Sequence, residues 1–116
     1  VTALAISVGN VHLKTEKTSG INFDALKAIE EVTTLPLVLH GGSGIPVNVR
    51  KRLARESRVS KFNIGTELRM AFGNALRKSL TDNWDSFDRI RLLAPTVDAV
   101  KSATIEVIRS LNGKQE

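Results

Sequence analysis

Two short apolar runs and a third, mixed one alternate along this chain with longer stretches in which apolar residues recur every three or four positions. The first spans residues 1–8 (VTALAISV), and the second, at Leu37, Val38 and Leu39, carries no polar alternation. The second therefore predicts a strand covered on both faces, as in a parallel sheet. The third run, from Val59, has polar Lys61 and Asn63 toward its end and Gly65 and Thr66 just beyond. Between the runs the spacing predicts helices. Asn22 is placed to cap one whose Phe23, Leu26, Ile29 and Val32 form an apolar stripe. A second runs from Pro46 to about Arg55 on Val47, Val49 and Leu53, and Thr66 caps a long third with Leu68, Phe72, Ala75, Leu76 and Leu80 inside. Residues 13–20 read as a polar loop, and the charged segment 82–91, with Trp84 and Phe87, as a surface connection. Pro95 is placed to open a last helix that buries Val97, Val100, Ala103, Val107, Ile108 and Leu111 and stops at Asn112 and Gly113.

Strands alternating with helices over short connections require parallel pairing and crossover helices. The predicted class is α/β, either an open doubly wound sheet or part of a closed (β/α) barrel. In both, the carboxyl ends of the strands share one rim. His12 follows the first strand, His40 and the turn Gly41-Gly42-Ser43-Gly44 follow the second, and Asn63 to Thr66 follow the third. Glycines let a backbone turn sharply and leave its amides bare, and Pro46 suits the first helical position. Bare amides beside the positive end of a helix favour an anion, most naturally phosphate. Glycine turns also serve as simple corners, so this motif alone leaves both roles open.

His12 and His40 are the only histidines and stand 28 residues apart, one βα repeat. On neighbouring strands their Cα atoms would lie about 5 Å apart, close enough to share a metal ion. An imidazole at a strand end can equally be a hydrogen-bonded structural residue. Ser43, Asn63 and Thr66 offer hydrogen bonds to a phosphate or a developing oxyanion, and Lys14 offers charge. Lys61 shares a strand face with Asn63, but no acid–base partner beside it supports a Schiff-base role.

Composition narrows the classes. With 116 residues, 41% of them hydrophobic, the chain has material for one domain. No apolar run reaches the ~18 residues that span a bilayer, and no basic stretch leads into a signal-peptide core. The absence of cysteine rules out disulfides and thiolate metal sites and fits a cytoplasmic protein. The net charge is +5, with Arg50, Lys51, Arg52, Arg55 and Arg58 clustered. No aromatic residue interleaves that cluster, so a solvated helix face is expected rather than a nucleic-acid surface.

Taken together, Gly9-Asn10-Val11-His12, the segment from Leu37 through His40-Gly41-Gly42-Ser43-Gly44 to Pro46, and Lys61-Phe62-Asn63-Ile64-Gly65-Thr66-Glu67-Leu68 resemble the last third of class II, metal-dependent fructose-bisphosphate and tagatose-bisphosphate aldolases. The resemblance implies a TIM (β/α)8 barrel, of which residues 1–116 would supply three C-terminal βα units and the final helix. It implies zinc, bound by His12 and His40 with a third histidine from elsewhere, and in members of the family a monovalent cation. Gly41, Ser43 and Thr66 match phosphate-binding positions, and Asn63 matches the catalytic residue that contacts the dihydroxyacetone phosphate portion. The implied reaction is reversible cleavage of a ketose bisphosphate to dihydroxyacetone phosphate and an aldehyde, in a homo-oligomer with a sugar phosphate as its small-molecule partner.

Two departures stand out. Leu13 occupies the place where many members have a glycine near phosphate or the cation, and Gly65 occupies the place of an aspartate. The family's proton-transferring aspartate and third zinc histidine come from an early strand. The expectation is therefore a fragment that lacks the N-terminal part of the barrel and is inactive and poorly soluble alone. Two other readings remain at this stage: a phosphate-binding module without chemistry, and a nucleic-acid binder resting on the arginine cluster.

Overall fold

The computed structural model describes residues 2–9 and 20–112. Strands β1 (Leu4–Ile6), β2 (Leu37–Leu39) and β3 (Val59–Phe62) form one parallel sheet in the order β1-β2-β3. Helix α1 (Phe23–Val32) connects the first pair and α2 (Val47–Glu56) the second, while α3 (Thr66–Asp82) and α4 (Arg89–Asn112) follow β3 and pack chiefly on each other. The class is α/β as expected, and βα units laid down in sheet order are the arrangement of part of a (β/α)8 barrel.

Leu4 pairs with Leu37 and Ile6 with Leu39. Across the other edge Leu37 pairs with Val59 but Val38 with Lys61, so Ser60 is an extra residue in β3. Alternation then puts Ile6, Leu37, Leu39 and Val59 on one face, where they form the core with Val8, Leu26 of α1, Ile45 and Leu53 of α2. The strands are covered on one face, not both. Ala5 is exposed and Val38 half-buried, because α1 and α2 lie against the opposite face, and Leu4, on the core face at the start of β1, is exposed as well. The first strand is also shorter than the apolar run that predicts it.

Helix α1 starts as expected, with Asn22 Oδ1 accepting from the Ala25 amide at 2.9 Å. Helix α2 follows Pro46, but its arginines do not make one solvated face. Arg50 is 1% exposed, and Arg52 lies 4.0 Å from the centroid of the Phe23 ring and pairs with Glu56 at 2.9 Å.

Two helix starts differ from expectation. Thr66 is the first residue of α3 rather than its cap, and the cap position is Gly65, which has no side chain to offer. Helix α4 begins at Arg89, six residues before Pro95, because the Asp88 carboxylate accepts from the Ile90 and Arg91 amides at 2.9 and 3.3 Å. Pro95 sits inside the helix, where it can donate no backbone bond, and packing against α3 outweighs that loss. The buried face of α4 carries Thr96, Val107 and Ser110. Val97 is 67% exposed and Ile108 50%, and Phe72 and Leu80 on α3 are exposed too, whereas Ser79 is the buried residue of α3. Trp84 and Phe87 lie on the surface connection as expected, Phe87 98% exposed.

Candidate functional site

Parallel pairing places the carboxyl ends of the strands at one rim, where Gly9, His40 with its glycine turn, and Asn63 to Thr66 meet. The second and third units are tied directly. The Asn63 amide donates to the Leu39 carbonyl at 3.0 Å, and the Gly42 amide donates to the Asn63 carbonyl at 3.1 Å. Gly41 has φ 67°, a left-handed conformation that glycine adopts without steric cost. At Gly42 a Cβ would come 2.6 Å from Ile64 Cδ1 and 3.3 Å from the Asn63 carbonyl oxygen, so a side chain there would displace the Ile64 methyl and press on the Asn63 backbone.

The turn is less open than a glycine-rich sequence suggests. Gly42 donates across to Asn63, just past β3, Gly44 to the Gly41 carbonyl and Ile45 to the Gly42 carbonyl, the last two at 3.3 Å. Among the described residues this leaves the Gly41 and Ser43 amides as donors of the turn. The Ser43 hydroxyl accepts from the Gly65 amide at 3.2 Å and the Glu67 amide at 3.3 Å. It therefore supplies the cap that Gly65 lacks, and its own O–H proton remains to be donated. Thr66, half-buried in the first turn of α3, stands between those two amides.

Asn63 Nδ2 lies 3.2 Å from His40 Nδ1. Two arrangements satisfy this contact. The amide can donate to an unprotonated Nδ1, or, turned over, its oxygen can accept from Nδ1–H, which frees the Nε2 lone pair to bind a metal. The second is the arrangement a zinc-binding His40 would select. Among the described residues no group of three or more His, Cys, Asp or Glu stands together. His12, its expected partner, and Lys14 and Leu13 lie outside the described residues.

Sequence reasoning missed Arg50. Its guanidinium donates to the Gly42 carbonyl at 3.0 Å, the Ile45 carbonyl at 3.4 Å, Glu67 Oε1 at 2.6 Å and Ser110 Oγ at 3.1 Å. The signal was its place one turn before Leu53, on the buried side of α2.

The profile of the family described as fructose-bisphosphate aldolase class-II matches residues 1–116. The chain belongs to this class-II aldolase family. It is 38% identical over 112 residues to the fructose-bisphosphate aldolase of Mycoplasma pneumoniae, an overlap of 90% of this chain and 38% of that protein. It is 37% identical over 101 residues to the 6-phospho-5-dehydro-2-deoxy-D-gluconate aldolase of Halalkalibacterium halodurans, covering 86% of this chain and 34% of that one. The crystal structure of the YdjI aldolase from Escherichia coli K12 superposes with a TM-score of 0.66 at 30% identity, over 99% of this chain and 41% of its own. A Coccidioides immitis protein at 23% identity, with a TM-score of 0.75 over 97% of this chain and 38% of its own, shares the fold. The class-II chain described here thus spans well under half the length of the relatives it matches.

Proposed function

We propose that this chain is the C-terminal part of a zinc-dependent aldolase that reversibly cleaves a ketose bisphosphate, fructose or tagatose bisphosphate, into dihydroxyacetone phosphate and an aldehyde. The observation that carries the reading is one rim on which His40, Asn63, the Gly41–Gly44 turn and the start of α3 stand together. Family membership and relatives named as aldolases support the reaction class.

In this reading the Gly41 and Ser43 amides, the Ser43 hydroxyl and Thr66 at the positive end of α3 hold one phosphate. Asn63 donates to the oxygen that gains charge as the carbon–carbon bond breaks. His40 and His12 hold zinc with a third histidine from an earlier strand, and an aspartate from the same region carries the proton. Zinc, when bound, polarises the substrate carbonyl. The missing barrel strands are the chain's first partner, and a homo-oligomer, cytoplasmic and without nucleic-acid or membrane partners, completes the reading. No helix among the described residues is long and apolar enough to cross a membrane.

The test is metal analysis of the protein as its gene encodes it, with fructose 1,6-bisphosphate and tagatose 1,6-bisphosphate as substrates. Wild-type protein is expected to hold zinc and to lose cleavage in EDTA, and His40→Ala to lose bound zinc and turnover together. Full zinc content and turnover in that variant sink the assignment.

A further inference from the structure

Three glycines in four residues give the Gly41–Gly44 turn wide backbone freedom, which its own two bonds, Gly44 to the Gly41 carbonyl and Ile45 to the Gly42 carbonyl at 3.3 Å, restrict only in part. We infer that Arg50 is the positioning residue of the anion turn, acting through the Gly42 and Ile45 carbonyls. Arg50 is 1% exposed, and a single nitrogen, Nη2, reaches the Gly42 carbonyl at 3.0 Å, the Ile45 carbonyl at 3.4 Å and Glu67 Oε1 at 2.6 Å. In a trans peptide the C=O and the following N–H point in opposite directions. With the Gly42 carbonyl held toward Arg50, the Ser43 N–H faces away from the guanidinium. That amide is one of the turn's two remaining donors.

The same guanidinium ties two further elements to the turn. Glu67 belongs to the first turn of α3, whose Gly65 and Glu67 amides are capped by Ser43, and Ser110 near the end of α4 accepts from Nη1 at 3.1 Å. The turn, the capped end of α3 and α4 are thus registered against one buried cation. Arg50 Nε has no hydrogen-bond partner, an expense in a buried guanidinium that the four contacts of its outer nitrogens offset. An arginine retained only for helix solubility would leave its charge in water. This one is turned inward onto two carbonyls that flank Ser43 and Gly44.

The inference rests on the reading of the rim as a phosphate seat, and the experiment separates the two. The encoded protein, Arg50→Met, Arg50→Lys and Ser110→Ala are compared by thermal unfolding in rising inorganic phosphate and by steady-state cleavage of fructose 1,6-bisphosphate. Phosphate is expected to raise the Tm of the wild type and to lose most of that effect on Arg50→Met. KM is expected to rise about tenfold while kcat changes by about twofold or less, the signature of lost ground-state binding. Arg50→Lys, whose single ammonium cannot span both carbonyls and Ser110, should fall between the two. Ser110→Ala, which leaves both carbonyl contacts in place, should stay near wild type.

A merely structural role would lower the Tm in the absence of phosphate and leave the phosphate-dependent shift and KM unchanged, and that result overturns the inference. If Arg50→Met does not fold, Arg50→Lys decides, since a folded lysine variant with wild-type shift and KM overturns it equally. Loss of phosphate stabilisation in the lysine variant of a wild type that cleaves no bisphosphate supports the positioning role and sinks the aldolase reading. Cleavage by wild type with an indifferent lysine variant does the reverse.

Discussion

Ser43 shows how one hydroxyl can belong to both the fold and the site. Its oxygen accepts from two amides at the start of α3, and its proton is left for a partner on the rim. Removing it has two separable consequences. Ser43→Ala is expected to cost about 1 kcal/mol of stability through the lost cap, read as a lower urea midpoint at unchanged slope. It is also expected to weaken retention of inorganic phosphate, read by thermal shift; an unaltered shift would leave Ser43 as a cap alone. The sequence marks Ser43 as polar within a glycine turn, and so as a candidate. It does not reveal the capping role, because the partner amides lie 22 and 24 residues away and meet it only through sheet register. Arg50 was hidden for a related reason. A charged side chain in a basic run is ordinarily solvated, and only the position of its acceptors on the turn, α3 and α4 turns it inward.

At the level of elements, legibility follows how local the signal is. The segment from β2 through the glycine turn to α2 lies close to its expected bounds, because an apolar run, a turn and Pro46 succeed one another within a few residues. At the start of α4 two local signals compete, proline as an opening residue at Pro95 and a carboxylate cap at Asp88. The cap wins, satisfying two orphan amides at once. Asp88→Ala is therefore expected to cost about 1 kcal/mol, with Asp88→Asn retaining most of it, measured by chemical unfolding. A loss-free alanine variant would move the true start of α4 toward Pro95. The inner face of α4 was misjudged for another reason. Hydrophobicity suggests Val97 and Ile108, whereas the packing admits Thr96 and Ser110, whose small side chains allow close approach.

Across the whole molecule, the same parallel sheet that assembles the rim also leaves it unfinished. The face turned away from α1 and α2 carries Ala5, Val38 and Lys61, of which Ala5 and Lys61 are exposed and Val38 half-buried. The body extends 59 Å along its longest axis with a radius of gyration of 17.4 Å, against about 13 Å for a compact chain of this size. A (β/α)8 barrel buries that inner face by closing on itself, and three strands are too few to close. Its rim likewise offers His40 and Asn63 but, among the described residues, no cluster of three metal-binding side chains. In the function proposed above, further strands complete wall and site together. Residues 1–116 produced alone, with zinc supplied, are accordingly expected to cleave neither fructose nor tagatose 1,6-bisphosphate and to associate with themselves in sedimentation velocity. Exposed apolar surface and unpaired strand edges drive that association. A monodisperse monomer of this chain that catalysed zinc-dependent cleavage would show that the rim needs nothing beyond itself, and the division of labour proposed between this chain and the rest of a barrel would fall with it.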